Sequence, residues 1–501
     1  MTVTSRLACL ASAALLLAAC GSSSPPPSCD VAAQTGCASG LACEPVTGGA
    51  PGCFDPVVVS GKVYDLATAG GLGEARVVAL DVNGAPASTV ALSNTLGTVG
   101  AYSLRIPAER APDGKPVASV TLRADAQGYE PFPSGLRVSV PVALGGAVHG
   151  GGTWTVRTSQ TDLGLQAIPG APAGRISGSV AHPPSGAGVL VVAEAGGAGL
   201  TAVPGSDGSF TIFNVADGTW QLRAYVPGFN YAPVTVTVAG GVATPSPVAF
   251  VAPAATPATA RVAGSVQLVS STAWNQTSVL LVVASTFDAT RIRGVAPAGL
   301  RASAVTGSWS IPGIPDGHYR VLAGFETDYL VRDPSDIGGT AVLEFQVVGG
   351  VPLLMDGATS AATLQGFKIT GAVRLKAPLP DATGACGTLT GFPASPAALL
   401  PGACTTTSAA PTIAWETYPA TSVYELTVVD DAGAGAWQAR VDRNASSVAN
   451  GAGTAPVTGT PVAPAPLVAG RTYQVHLTSV PVGGVPLSTS EDLLGVFTYL
   501  P

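Results

Sequence analysis

The chain has 501 residues, 47% of them hydrophobic and only 11% charged, with a formal net charge of −7. That balance excludes an electrostatic nucleic-acid binder, because Lys and Arg are few and scattered. The 63 Gly and 43 Pro are many, yet below what a disordered low-complexity chain carries, so several packed domains are expected.

Residues 1–19 open with Arg6 and continue as an Ala- and Leu-rich run. This is the shape of a signal peptide, with an apolar core too short to span a bilayer comfortably. It ends Leu17-Ala18-Ala19-Cys20-Gly21, which resembles the lipobox of bacterial lipoproteins. The resemblance implies a lipid on Cys20, an anchor in a membrane and, with Gly rather than Asp at position 21, location at the outer membrane, on its periplasmic or cell-surface side. Two or three acyl chains make such an anchor stable, at roughly 0.8 kcal/mol per buried methylene. Ser22 to Pro27 form a solvated tether.

The segment 20–55 is too poor in apolar residues to build a core. It holds Cys29, Cys37, Cys43 and Cys53, and a separate pair, Cys386 and Cys404, lies far downstream. An even number of cysteines in an exported chain points to disulfides, with three pairings open for the first four. A four-Cys zinc site is the rival, but paired ligands two to four residues apart are absent. No metal and no cofactor is therefore expected.

From residue 56 onward, apolar residues alternate with Ser, Thr and Arg, as at Tyr102, Leu104 and Ile106, at Val120, Leu122 and Ala124, and at Leu136, Val138 and Val140. One face of each strand then meets a core and the other meets water. Ala224 to Ala260 lacks charge, but its prolines and the alternation of Val234, Val236 and Val238 mark strands rather than a membrane helix. The fold class is all-β: tandem antiparallel β-sandwich domains after a signal peptide and a short disulfide-rich segment.

An internal repeat organises the middle of the chain. Each copy opens with Gly-x-Val, at Gly61, Gly178 and Gly264. Each later shows Gly-x-aromatic, at Gly100 and Tyr102, Gly208 and Phe210, and Gly307 and Trp309. Copies two and three add Asp217-Gly218 and Asp316-Gly317, read as tight hairpin turns. Phe210, Ile212, Trp220, Leu222 and Ala224 are the expected core of copy two. These motifs resemble the carboxypeptidase regulatory-like domain, a transthyretin-like sandwich; the resemblance implies a spacer or binding module without catalysis. The domains are then 56–170, 171–256 and 257–370, joined by Pro-rich linkers near Pro169–Pro172 and Pro253–Pro257 into a semi-rigid rod.

The last segment, 371–501, has a different pattern, with Trp415 early and Leu467, Gly470 and Tyr473 late. It is similar to a fibronectin type III domain, which implies a core tryptophan and a tyrosine corner. The Cys386–Cys404 cross-link at its start adds about 3 kcal/mol if unstrained.

Catalytic constellations are missing from the sequence, and no enzyme is expected. His149, His182, His318 and His476 are dispersed, with His476 on the polar phase of a strand, and Asp430-Asp431 read as a solvated turn. Trp154, Trp274, Tyr329 and Trp437 are the candidates for stacking on sugar rings. Two functions follow: a non-catalytic structural or adhesive surface module that meets surface proteins, or a lipoprotein that tethers polysaccharide.

Overall fold

The computed structural model describes residues 29–501 except 32, 82–83, 95–96, 135–136, 182–187, 252–255, 270–276, 289–293, 326–330, 333–342, 371, 382, 393–402, 420, 432, 434, 453–463, 482–487 and 491–492. Strands dominate, and the helical turns among the described residues are short 3₁₀ pieces such as Ser159–Thr161. The expected all-β architecture is what is found: paired sheets enclose four main hydrophobic cores.

Three sandwiches share one plan. Each begins with a long strand: Val57–Asp65, Gly174–Val180 or Ala260–Val269. This strand pairs antiparallel with the strand carrying the aromatic residue and parallel with a closing strand from later in the chain. The register explains the repeat. Gly61 lies opposite Tyr102, Gly178 opposite Phe210 and Gly264 opposite Trp309. A Cβ on Gly178 would sit 2.7 Å from the Phe210 ring, and one on Gly264 would sit 2.7 Å from the Trp309 ring. The glycine leaves the space into which the cross-strand ring folds, and the ring covers backbone that a glycine would leave bare. The second glycine is fixed by its carbonyl: Gly100, Gly208 and Gly307 accept from the N–H of Val63, Val180 and Val266.

The Asp-Gly pairs do something other than the expected hairpin turn. Ser209–Val215 and Gly218–Val226 belong to different sheets, so Asp217 stands at a corner where the chain crosses between layers. Its carboxylate accepts from the N–H groups of Gly240 and Gly241, at 2.8 and 3.1 Å. Asp316 does the same for Gly349 and Gly350. Those Gly-Gly pairs are the true hairpin turns, with positive φ at both positions, as a type I′ turn demands. The next aromatic is also pinned alike: Trp220 Nε1 donates to the Ala216 carbonyl and Tyr319 Oη to that of Pro315.

Phe210, Ile212, Trp220, Leu222 and Ala224 are all buried in the second core, as the alternation predicts. Each large side chain there stabilises the fold by roughly 1.5–3 kcal/mol. The alternation fails at 137–141, which forms no strand although Val138 is buried. Arg137 and Val140 there line a contact with the last sandwich, so tertiary packing sets this stretch.

In the fourth sandwich Trp415 is fully buried, and Tyr473 Oη accepts from the Val468 N–H at 2.7 Å, the tyrosine-corner geometry. Cys404 lies in Ala403–Thr406, which pairs parallel with the final strand Val496–Tyr499. His476 is buried rather than on a wet face. It shares the face of Thr472 and Gln474, which turns toward the first sandwich.

The sandwiches do not line up as a rod. The first contacts the second through Arg123 to Thr201, Gln127 to Asn214 and Arg76 to Ser209. The second merges with the third: Leu190, Val192 and Tyr225 belong to the third sandwich's core cluster. The region expected as a linker is partly strand, because Thr256–Pro257 pairs with Phe229–Asn230. The third runs straight into the fourth, whose buried Val373 follows closely on the strand Phe367–Thr370. The fourth then returns to the first, where Ser159 meets Thr472.

Candidate functional site

The base of the molecule is built on two disulfides, Cys29–Cys43 and Cys37–Cys53, which tie the segment before it to one small hairpin of Ala42–Glu44 and Gly52–Phe54. The sulfurs are thus covalently paired, where the rival reading needed four zinc thiolates. Cys20 lies outside the described residues. The hairpin is not a free leader. Glu44, on the strand Ala42–Glu44, forms an ion pair with Arg110 of the first sandwich, and the two side chains are 1% and 0% exposed. Arg110 also donates to the Asp55 carbonyl at 2.7 Å and lies over the Phe54 ring. Glu44 accepts from the Ala108 N–H as well. Burial pushes the Glu44 carboxyl up from its ordinary range, against the pull of Arg110. A buried pair of this kind fixes orientation more than it adds stability. Residue order alone does not reveal the pair, since Glu44 and Arg110 are 66 positions apart.

Beside this base lies Trp154. The hairpin joining Val148–Gly150 to Thr153–Val156 places His149 opposite Trp154, with ring centroids 4.8 Å apart. His149 Nε2 is 2.8 Å from the Asp55 carboxylate, and its side chain is 47% exposed. The Arg110 guanidinium approaches the same indole, 5.9 Å from its centre. The indole is half-buried. The group therefore sets an apolar ring edge beside an imidazole–carboxylate pair, a combination that can meet a hydroxyl and a C–H face together.

The other stacking candidates are not joined to it. Trp437 is 2% exposed and belongs to the fourth core, on a strand whose ring-bearing face points inward. It offers no surface to a ligand and is withdrawn as a stacking residue. Trp274 and Tyr329 lie outside the described residues. Among the described candidates no coplanar aromatic platform is formed.

A second feature was invisible in the sequence. A small cleft of about 30 Å³, open to solvent, runs between the first and fourth sandwiches, lined by residues that include Phe132, Arg137, Gln160, Asp431 and Thr472. Asp430 and Asp431, expected as a solvated turn, lie in this contact. Arg471 holds the Asp431 carboxylate at 2.6 Å and stands 3.8 Å from Asp430. Burial nevertheless pushes the Asp431 carboxyl up, with Arg471 opposing. Arg137, over the Phe132 ring, is lowered to about 10 by burial.

The chain matches the family model of the β-sandwich domain of ER membrane protein complex subunit 7 over residues 183–294, running from the second sandwich into the third. No curated protein matches it in sequence. Among solved structures, it is similar to the Bacillus anthracis TIE protein at 7% identity and a TM-score of 0.14, covering 84% of this chain and 65% of that one. A streptococcal ancillary pilin is matched at 10% identity and a TM-score of 0.15, over 62% of this chain and 98% of that one. A tetra-tandem repeat from the extending region of a large adhesion protein is matched at 16% identity and a TM-score of 0.13, over 88% and 100%.

Proposed function

We propose that this chain is a non-catalytic lipoprotein, anchored through Cys20 at the outer membrane, that acts as a structural or adhesive module on the surface or periplasmic side. The observation that carries this reading is the merged core of the second and third sandwiches, a rigid body suited to bearing load between an anchor and a contact. Three disulfides support an oxidising compartment. Within this reading the first three sandwiches are carboxypeptidase regulatory-like, supported by the shared glycine–aromatic register. The fourth is fibronectin type III-like, supported by Trp415 and the Tyr473 corner.

The test is direct. Cells grown with labelled palmitate should label the chain, and Cys20→Ala should lose both the label and the membrane fraction. Intact cells bearing the wild-type chain should then bind matrix or neighbouring cells more than cells lacking it. Equal binding removes the adhesive part, and labelling of Cys20→Ala removes the anchor.

A second reading, tethering of polysaccharide, rests on Trp154 beside His149 and Asp55. Saturable binding of the chain to a polysaccharide panel, competed by free oligosaccharide and lost in Trp154→Ala, supports it. Binding that survives Trp154→Ala places the sugar elsewhere.

A further inference from the structure

The two ends of the sandwich series meet, and the chemistry of that meeting differs from that of the second–third junction. Across it, Arg137 donates to the Asp431 carbonyl at 3.3 Å while its other nitrogen donates to Gly164 of its own sandwich at 2.7 Å. Ser159 Oγ lies 2.9 Å from Thr472 Oγ1, and Gln160 Nε2 donates to the same hydroxyl at 3.4 Å. Arg471, which holds Asp431, also reaches the Tyr64 side chain of the first sandwich. These hydroxyls, amides and charges join across a cleft open to solvent, which Phe132, Val138 and Val140 also line.

Such a contact is weak in a particular way. Each hydrogen bond made there replaces one to water and adds little net, and the ion pairs of the partly exposed Arg471 with Asp430 and Asp431 are open to screening by salt. The second–third junction is the opposite. Tyr225 is fully buried against Tyr319, with ring centroids 5.8 Å apart, and Glu194 accepts from Tyr225 and from Ser285 across the boundary. Apolar area of that sort is not released by salt.

We infer that the first and fourth sandwiches form a releasable clasp: the ring of four sandwiches opens at this polar junction and recloses, while the second and third move as one piece. The closed state holds the last sandwich beside the one nearest the chain's N-terminal tether. The open state swings it away and lengthens the molecule, exposing Arg137, Val140, Asp431 and Thr472. This holds whether or not the chain proves adhesive, since it rests on the junctions alone.

The test is single-molecule energy transfer on the full chain in nanodiscs. Dyes are carried on non-natural residues replacing Lys115 in the first sandwich and Asn444 in the fourth, both exposed. A high-transfer population is expected in low salt. It should at least halve in about 1 M NaCl, where the screening length falls to roughly 3 Å. It should also halve in Arg137→Glu and in Ser159→Trp. A dye pair spanning the second and third sandwiches should be unchanged in every condition. Thermal unfolding checks each variant, and Ser159→Trp decides the matter if Arg137→Glu fails to fold. Absence of a high-transfer population in the wild type overturns the clasp. So does a population indifferent to salt and to a folded Ser159→Trp chain.

Discussion

The second–third junction and the first–fourth junction join the same kind of sandwich by different physics. In one, Gly317 leaves room for the Tyr225 ring, which a Cβ there would meet at 2.5 Å, and the ring completes a neighbouring core. In the other, Gly433 leaves room for Arg137, whose buried charge lies near the carboxylates of Asp430 and Asp431. Both use a glycine to admit a large side chain, but what enters decides whether the joint is permanent. An apolar ring makes the boundary part of a core; a guanidinium joins it by hydrogen bonds to carbonyls on either side.

The largest effect should come from breaking the apolar joint. Tyr225→Ala removes a side chain that counts in the third core, and should cost about 3–5 kcal/mol. The loss should appear as faster hydrogen exchange in Gly317–Phe325 of the third sandwich as well as in the second. Protection unchanged in the third would mean the cores are separate after all. Next, Cys386→Ser together with Cys404→Ser should lower the fourth sandwich's stability by about 3 kcal/mol. Urea unfolding should show the fourth sandwich leaving early, with the second–third pair untouched. A common shift of all transitions would show that the first–fourth contact couples more strongly than its chemistry implies.

A smaller effect tests the repeat beneath the joint. Gly264→Ala drives a methyl into the Trp309 ring and should cost about 1–3 kcal/mol. Combined with Trp309→Leu it should cost less than the two changes summed, because the clash is gone. Strict additivity in a thermal-unfolding cycle would reject the glycine–aromatic pairing as the reason for the motif.

The smallest effect is set by pH. Hydrogen bonds from Gly240 and Gly241 hold the Asp217 carboxyl below its ordinary value, and those from Thr359 and Ala358 do so for Asp356. Because the folded value is the lower one, the unfolded chain takes the proton first. The stabilisation is complete above the ordinary carboxylate value of about 4 and is lost as pH falls through the lowered folded value. Urea midpoints measured from neutral to acid should fall over that window, and less steeply in Asp217→Asn. A midpoint that rises on acidification would contradict the assigned direction.

What the sequence determined by itself was local. Alternation predicted the strands, the spacing of Gly61, Gly178 and Gly264 from their aromatic partners predicted the repeat, and Trp415 and Tyr473 predicted the core and corner of the last sandwich. These features depend on neighbours along one strand or across one pair, so residue order suffices. The disulfide pairings, the Glu44–Arg110 lock, the inward turn of Trp437 and the corner role of Asp217 were decided by tertiary structure. Each depends on which sheet a strand joins, and periodicity of two along a strand does not say which of its faces meets another domain. The same holds for the closed ring. The prolines that mark a linker in the sequence do not reveal that Tyr225 is fully buried in a neighbour's core, nor that Arg137 and Asp431, from opposite ends of the sandwich series, lie within a hydrogen bond of one another.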